Sequence, residues 1–458
     1  MSGKKNSSTF MRSARDLLRL SGPLIMGQVA VIGMTVTDIY MVGQVSADDL
    51  AAVQLAGSIW SIVSMFLIGI MLGNNPIIGQ YFGAGKTDQV RYQFQQVVWM
   101  SIPLGLLMVG GVFLGIYVLN ILDISEAVFL IARGILYPYM GTAFMLSIFF
   151  AFRSTFEGVG DTRPVMVFNM LAFVLNAVLD YLLVFGELGF PKMGGVGAGW
   201  ATLTVMVFLL TSVSLYAKHA KTLKYLRLYQ DFVRPNLKSI AETLKLGIPS
   251  ALLLTAEFSF FSVIPLFIAH LGSEVVGAHA IAINVDAIAF MIPLGISQGL
   301  TIAVAHTLGR DNARKARHLS LTGFKLVFIL ALAIACFKLA FRHELAAFFS
   351  PDPQVQALAA SLLLFAAVLG SLDCIQISAG GALRGYKDAR IPLFLQIFAF
   401  WVIAFPIAYS LALTNIWGEP LGVYGFWVGM IIAVVFANLF LLARWNSVSR
   451  KALSAVAK

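Results

Sequence analysis

The sequence is poor in charged residues and almost without cysteine. Asp, Glu, Lys and Arg make up 12% of its 458 residues, whereas 59% are hydrophobic. Soluble domains carry about 25% charged residues, so the scarcity of charge excludes an ordinary soluble protein. The two cysteines, Cys336 and Cys374, both lie in apolar segments, which excludes a disulfide framework between loops.

The sequence contains twelve apolar segments instead, each about long enough to cross a bilayer. They do not alternate between apolar and polar residues as the strands of a membrane β-barrel would. We therefore predict an all-α polytopic membrane protein with twelve transmembrane helices. The predicted spans are 17–44, 52–82, 93–119, 128–151, 164–186, 195–217, 243–270, 276–308, 321–342, 354–379, 391–413 and 421–444.

The Lys and Arg residues are concentrated in alternate loops and in both terminal segments, whereas the intervening loops carry acids such as Asp48, Asp123 and Glu274. Loops rich in Lys and Arg stay on the cytoplasmic side, so both termini are predicted to be cytoplasmic. The formal charge of +10 is explained by this topology, and nucleic acid is not expected as a partner.

The chain repeats itself with an offset of 226 residues, the separation of Pro23 and Pro249. Further matches fall mainly on glycines and on charged loop residues. We predict two six-helix bundles related by a pseudo-twofold axis, spanning 1–217 and 243–458, with a basic cytoplasmic linker at 218–242 and a central cleft between them. The matched glycines are Gly69 with Gly295, Gly73 with Gly299, and Gly83 with Gly309; one inserted residue later, Gly158 matches Gly385 and Asp161 matches Asp388.

Acidic and polar residues inside the first-half spans form the first candidate site. Asp38 lies in the first span, where a charge costs roughly 2.5–3.5 kcal/mol on insertion scales. Asn176 and Asp180 stand four residues apart on the fifth span, and therefore on one helix face. Thr202 adds a hydroxyl in the sixth span. Together these residues offer the oxygen ligands that hard cations prefer.

The second half carries a different set of acids, namely Glu257, Asp286 and Asp373. Asp38 aligns with an isoleucine in the other repeat, so the two halves predict non-equivalent sites. A carboxylate in the membrane can be neutralised by Na⁺ or by H⁺ at the same oxygens, so exchange driven by either ion is feasible. We expect Na⁺ at Glu257, Asp373, Asp38 or Asp180, and we expect no resident cofactor.

An intramembrane serine protease is the enzymatic alternative, because residues 295–299 read Gly-Ile-Ser-Gln-Gly and His306 follows. The two glycines recur in the first half, where Met71 replaces Ser297. Close packing of helices through glycines four residues apart explains this pattern better. We therefore predict no catalytic residues and no enzymatic activity.

Several stretches resemble the multidrug and toxic compound extrusion (MATE) family, in particular its bacterial NorM-like branch. The similarity extends over essentially the whole chain. The stretches that carry it are 20–24, Thr37-Asp38, 157–163 (Glu-Gly-Val-Gly-Asp-Thr-Arg), 176–180, 195–199 and 383–388.

This resemblance implies a secondary antiporter that exports cationic drugs and dyes in exchange for Na⁺ or H⁺ by alternating access. It places Asp38, Asn176, Asp180 and Thr202 in a first-half acid and polar cluster, and it assigns the second-half cation site to Glu257 and Asp373. Asp286 is additional to the family's usual pattern. The resemblance also implies a monomer in the bacterial inner membrane. A flippase for lipid-linked saccharides, from the same superfamily, is the alternative transport function.

Overall fold

The computed structural model describes residues 2–121 and 124–456, and all regular elements in these ranges are helices. The acidic loop residue Asp123 lies outside the described residues. The α-helices are α1 (Ser2–Gly43), α2 (Ala47–Leu72), α3 (Asn74–Gly83), α4 (Thr87–Ile121), α5 (Glu126–Val159), α6 (Arg163–Phe185), α7 (Gly195–His219), α8 (Leu237–Ile268), α9 (Ser273–Gly309), α10 (Ala313–Ala340), α11 (Arg342–Phe349), α12 (Pro353–Gly385), α13 (Arg390–Ile397), α14 (Phe405–Leu413) and α15 (Val423–Val456).

Twelve candidate membrane spans are found among the described residues, which confirms the predicted number and class. The second span is interrupted at Gly73, where α2 ends and α3 begins. Pro76 lies in the first turn of α3 and has no N–H to donate to residue 72, which explains why the helix does not continue unbroken. Asn74 and Asn75 are both buried at this interruption, where Asn74 donates to the hydroxyl of Ser154 and Asn75 donates to the carboxylate of Glu157.

The eleventh span also departs from a single regular helix. It is built from α13, a π-helical segment Phe398–Ala404, and α14. Pro406 at the start of α14 lacks the N–H that an α-helix would use four residues back, so a local change of hydrogen-bond register accommodates it. The short helix α11, which follows the ninth span, was not among the predicted segments.

The chain divides into two compact units. The unit that we call the N unit contains Met26–Ala251, and the C unit combines Met1–Ile25 with Leu252–Lys458. Helices α1 and α8 therefore each contribute one part to each unit. The predicted organisation into bundles 1–217 and 243–458 stays a prediction.

Each unit is arranged around one central helix. In the N unit, α5 packs against α2, α3, α4 and α7. In the C unit, α12 packs against α9, α10, α11 and α15. These two helices are the fourth and tenth spans, which occupy equivalent places in the repeat. Asp373 of the second candidate site lies on α12, the central helix of its unit.

Glycine-mediated helix contacts recur at the offset of 226 residues. In the N unit, Gly69 of α2 and Gly73 at the end of α2 meet the backbone of α8 at Ala251 and Gly247. In the C unit, the matched glycines of α9 meet α1. Gly295 faces Ile25 there, and Gly299 faces Ser21. The partners are also 226 residues apart, so the repeat preserves the contact as well as the glycines.

Three side chains of α4 form hydrogen bonds with the backbone of the predicted linker segment. Gln95 donates to the carbonyls of Leu228 and Gln230 at 3.2 and 2.8 Å and accepts from the amide of Val233 at 3.1 Å. Trp99 donates to the carbonyl of Val233 at 2.9 Å. Gln96 accepts from the amide of residue 236 at 2.6 Å. The linker backbone therefore obtains hydrogen bonds that a loop could not supply itself.

Candidate functional site

The first cluster lies in the N unit and brings together the predicted first-half residues. Asp38 of α1 lies beside Asp180 and Asn176 of α6. The four-residue spacing on α6 places Asn176 and Asp180 on one face, as predicted, and that face is buried, with 2% and 0% of these residues exposed. Two carboxyl groups therefore share one pocket of low exposure, and among the described residues neither forms an ion pair with a basic side chain.

Several oxygen atoms of this first cluster accept no hydrogen bond from the described residues. They are Oδ1 of Asp38, both carboxyl oxygens of Asp180, and Oδ1 of Asn176. Leaving a buried acceptor unsatisfied costs about 1–3 kcal/mol, and more for a charged group. A proton or a small cation bound between the carboxyl groups would supply the missing interactions.

Tyr139 of the central helix α5 is a member of this cluster that the sequence did not reveal. Its phenol lies near Asp38, Asp180 and Thr202, and its ring packs against Trp60 at 4.9 Å between centroids. The hydroxyl of Thr202 donates to the carbonyl of Ala198 at 2.9 Å, which leaves the hydroxyl oxygen available as a ligand. No spacing rule singles out one tyrosine among 13, so only the folded structure could identify it.

The second cluster lies in the C unit and contains all three predicted second-half acids. Glu257 of α8 accepts hydrogen bonds from the amides of Gln376 on α12 and Gln396 on α13, at 2.8 and 3.4 Å. Gln376 lies three residues after Asp373, on the same face of α12. The three-residue spacing from Asp373 could have identified Gln376 from the sequence. Gln396 lies on a distant helix, and no sequence pattern pointed to it.

Asp373 and Asp286 have different surroundings within the second cluster. Asp373 is 7% exposed, and its Oδ1 accepts no hydrogen bond from the described residues. Asp286 of α9 forms an ion pair with Lys338 of α10. Pairing with a base is the structural alternative to an ion-binding role, so Asp286 as a cation ligand stays a prediction.

Among the described residues, no group of three or more His, Cys, Asp and Glu side chains is placed to hold a metal ion. The first cluster has two carboxyls, supplemented by amide and hydroxyl oxygens. Divalent metals in proteins usually take more charged ligands or coordinated water. The donor set is therefore better suited to one monovalent cation or one proton.

The motif at 157–163 serves to join helices within the N unit. Glu157 accepts from Arg153 at 2.7 Å and from Asn75, beside the helix interruption, at 3.0 Å. Gly160 ends α5 in a left-handed conformation with φ of 84°, and Asp161 accepts from Tyr216 at 3.0 Å. In the C unit, Asp388 accepts from Arg444 at 2.6 Å. Both matched aspartates thus connect neighbouring helices.

The geometry around Ser297 does not resemble a protease site. Its hydroxyl is fully buried, donates to the carbonyl of Ile377 at 2.6 Å and accepts from Arg384 at 3.1 Å. A nucleophilic serine needs a base that takes its proton, and here the proton is directed at a backbone carbonyl. The role of the neighbouring glycines is the contact with α1 described above.

Comparison with known proteins agrees with this architecture. The MatE family model matches residues 23–182 and 249–410, so the two matches begin at the repeated prolines. Multidrug resistance protein NorM of Aliivibrio fischeri is 34% identical over 432 residues, covering 93% of each chain. Multidrug resistance protein PmpM of Pseudomonas aeruginosa is 34% identical over 443 residues, covering 95% of this chain and 92% of the relative.

Solved structures support the same fold at lower sequence identity. The eukaryotic MATE transporter AtDTX14 superposes with a TM-score of 0.85 at 19% identity, covering 98% of this chain and 99% of the other. A multidrug resistance MATE family transporter in an outward-facing conformation gives a TM-score of 0.83 at 21% identity, with 97% of each chain covered.

These matches confirm the expected resemblance and the prediction that the protein is a transporter and not an enzyme. They extend over nearly the full length of the chain and include both halves of the repeat. The protein therefore belongs to the MatE family of membrane transporters, with NorM proteins among its relatives.

Proposed function

We propose that this protein exports cationic and amphipathic drugs in exchange for Na⁺ or H⁺. One observation carries the proposal: each unit holds, inside its membrane-spanning helices, carboxyl oxygens that accept no hydrogen bond from the described residues. Buried acids without a partner are costly in a membrane, and a mobile cation that visits them during each cycle offsets this cost. The relatives described as multidrug resistance proteins support drugs as the cargo.

In this proposal the drug competes with the coupling ion, Na⁺ or H⁺, and the carrier works by alternating access. Binding of Na⁺ or H⁺ to an acid cluster weakens drug binding and returns the carrier to its inward-facing state. A membrane potential contributes about 2.3 kcal/mol per 100 mV for each net charge that the exchange moves inward, which sets the scale of the electrical driving force. Asp38 and Asp180 would bind the ion in the N unit, with Asn176, Thr202 and Tyr139 as uncharged ligands.

The distribution of loop charges supports an orientation with both termini in the cytoplasm. The helical spans and the bacterial NorM and PmpM relatives support a location in the bacterial inner membrane. We propose a monomer as the functional unit, because each acid cluster is completed by side chains of a single chain.

A flippase for lipid-linked saccharides would have to bind an anionic pyrophosphate, for which several exposed basic groups are the expected solution. The two clusters consist mainly of acids. In the C unit the bases Lys338 and Arg384 are already engaged by Asp286 and Ser297. We therefore favour export of cations over flipping of anionic lipids.

Dye export from proteoliposomes tests the proposed function. We expect an inward gradient of Na⁺ or of H⁺, imposed separately, to drive export of ethidium from vesicles that contain the purified protein. Protein-free vesicles and vesicles treated with an ionophore serve as controls. Flipping of an anionic carrier lipid without dye transport, or no response to either gradient, would contradict the proposal.

Substitutions of two acids in the second cluster are expected to reduce efflux to different extents. We expect Asp373→Asn to reduce coupled efflux about tenfold, and Glu257→Gln to reduce it less. The reason is that Glu257 is already solvated by two amide donors, whereas Asp373 has an oxygen with no described partner. Initial rates of dye efflux are compared at equal amounts of protein in the membrane. Wild-type rates in both variants would contradict this assignment.

A further inference from the structure

Lys338 is a basic residue buried deep among the helices of the C unit. It is 2% exposed, and its ammonium donates to Asp286 of α9 and, at 3.4 Å, to the carbonyl of Ala366 on α12. Burying a lysine in the membrane is costly unless it is paired. Hydrophobic residues would fill this position at lower cost, so the retained charge calls for an explanation.

The Lys338–Asp286 pair lies directly against the backbone of α12. A Cβ added to Gly370 would come within 2.5 Å of Oδ1 of Asp286 and 2.9 Å of Nζ of Lys338. Asp373 follows three residues later on the same helix face, about 4.5 Å further along the axis. The ammonium of Lys338 therefore lies close to Asp373, the acid of this cluster whose Oδ1 accepts no hydrogen bond from the described residues.

Lys338 and Arg384 neutralise part of the negative charge of this cluster. The carboxyls of Glu257, Asp286 and Asp373 face the bases Lys338 and Arg384, the latter near enough to Glu257 for their charges to interact. With every group ionised, three negative charges meet two positive ones, and a single negative charge is left. Because Asp286 has its ion pair and Glu257 has its amide donors, this charge falls on Asp373.

We propose that Lys338 is a tethered counter-ion that competes with the exchangeable Na⁺ or H⁺ for Asp373. This inference rests on the proposed function and adds to it a residue that sets ion affinity and stoichiometry. Lysine combines a compact charge with a flexible stem, so its ammonium can move from Asp286 towards Asp373 when the mobile ion leaves. With Lys338 in place, the cluster takes up one positive charge per cycle.

Binding of radioactive Na⁺ to the purified protein tests the proposal. The parent for all comparisons is Asp38→Asn/Asp180→Asn, in which only the second cluster can respond. We expect Lys338→Met to bind Na⁺ about tenfold more tightly than this parent, because the cluster then carries two uncompensated negative charges. We expect Asp286→Asn to weaken binding about tenfold, because the freed ammonium then neutralises Asp373.

The double variant Lys338→Met/Asp286→Asn should bind like the parent, because removing one charge of each sign leaves the balance unchanged. Lys325→Met, which removes an exposed lysine from the same helix, is the matched control. A purely structural pair would predict losses in both single variants and no recovery in the double variant. Should Lys338→Met alone fail to fold, Asp286→Asn and the double variant decide the question together. Weakened binding in Asp286→Asn with parent-like binding in the double variant supports the proposal, and unchanged binding in Asp286→Asn overturns it.

Equal or weaker Na⁺ binding by folded Lys338→Met would also overturn it. These measurements need no transport, so they are independent of the dye experiment. Failure of the proposed function would appear in the wild-type protein, as vesicles in which neither gradient moves the drug.

Discussion

Asp38→Asn is expected to abolish most of the coupled drug efflux, with a reduction of about tenfold or more in the initial rate. The substitution keeps the shape of the side chain but removes the charge that shares a pocket with Asp180 and Asn176. An amide cannot take up a proton at neutral pH and binds a cation weakly. The cluster then retains Asp180 as its one acid, so it has lost one of the two carboxylates that would bind the exchanged ion.

The neighbouring substitution Thr37→Val is the control for Asp38→Asn. The hydroxyl of Thr37 donates to the carbonyl of Gly33 in its own helix at 2.9 Å, so its loss should leave efflux within about twofold of wild type. Uptake of a cationic dye into inverted membrane vesicles, normalised to the amount of folded protein, distinguishes the two variants. If Asp38→Asn transports as well as Thr37→Val, the first cluster has no role in coupling.

Much of this fold could be predicted from the sequence, because the membrane imposes strong constraints. A helix that crosses hydrocarbon must satisfy its own backbone, so twelve apolar segments could only become twelve helices. The same argument located Asp38 and Asp180, since an acid within such a segment is conspicuous. The proximity of Asn176 to Asp180 was also predictable, because residues four apart share one face of a helix.

The interruptions and the partners of the acids could not be predicted in this way. Pro76 and Pro406 each remove one backbone donor, but the sequence does not show whether the helix bends, breaks or shifts its register. Lys338 was visible as a rare base within a span, and Asp286 as an additional acid. Only packing of α9, α10 and α12 shows that they form a pair, because their separation in sequence carries no information about contact.

The boundaries of the two units likewise depend on packing that the sequence does not show. The repeat placed its boundary in the linker, where composition changes. In the structure, the N-terminal part of α1 lies in the C unit as part of Met1–Ile25, and the N-terminal part of α8 lies in the N unit as part of Met26–Ala251. The predicted bundles 1–217 and 243–458 stay a prediction. The glycines that permit these contacts were recognised in the sequence, but their partners were not.

Gly69→Ala is expected to destabilise the protein by about 1–3 kcal/mol, despite replacing a glycine within a helix. In an unobstructed helix this change would stabilise by about 0.5–1 kcal/mol. At Gly69, however, the new methyl group would meet the Cα and N atoms of Ala251, and backbone atoms cannot rotate away. The steric term therefore outweighs the gain in helix propensity, and the melting temperature in detergent should fall.

Gly57→Ala in the same helix α2 is the matched control, because nothing lies within 4 Å of the position that its Cβ would take. We expect an unchanged or slightly higher melting temperature there. Gly295→Ala, at the equivalent place in the repeat, should lie between the two, since its nearest obstacle is the flexible side chain of Ile25, followed by the backbone N of that residue at 3.0 Å. Equal effects at Gly69 and Gly57 would show that α2 and α8 do not pack as closely as the structure indicates. The expected order follows from which atoms oppose the new methyl group, and the sequence repeat alone would have predicted equal effects at Gly69 and Gly295.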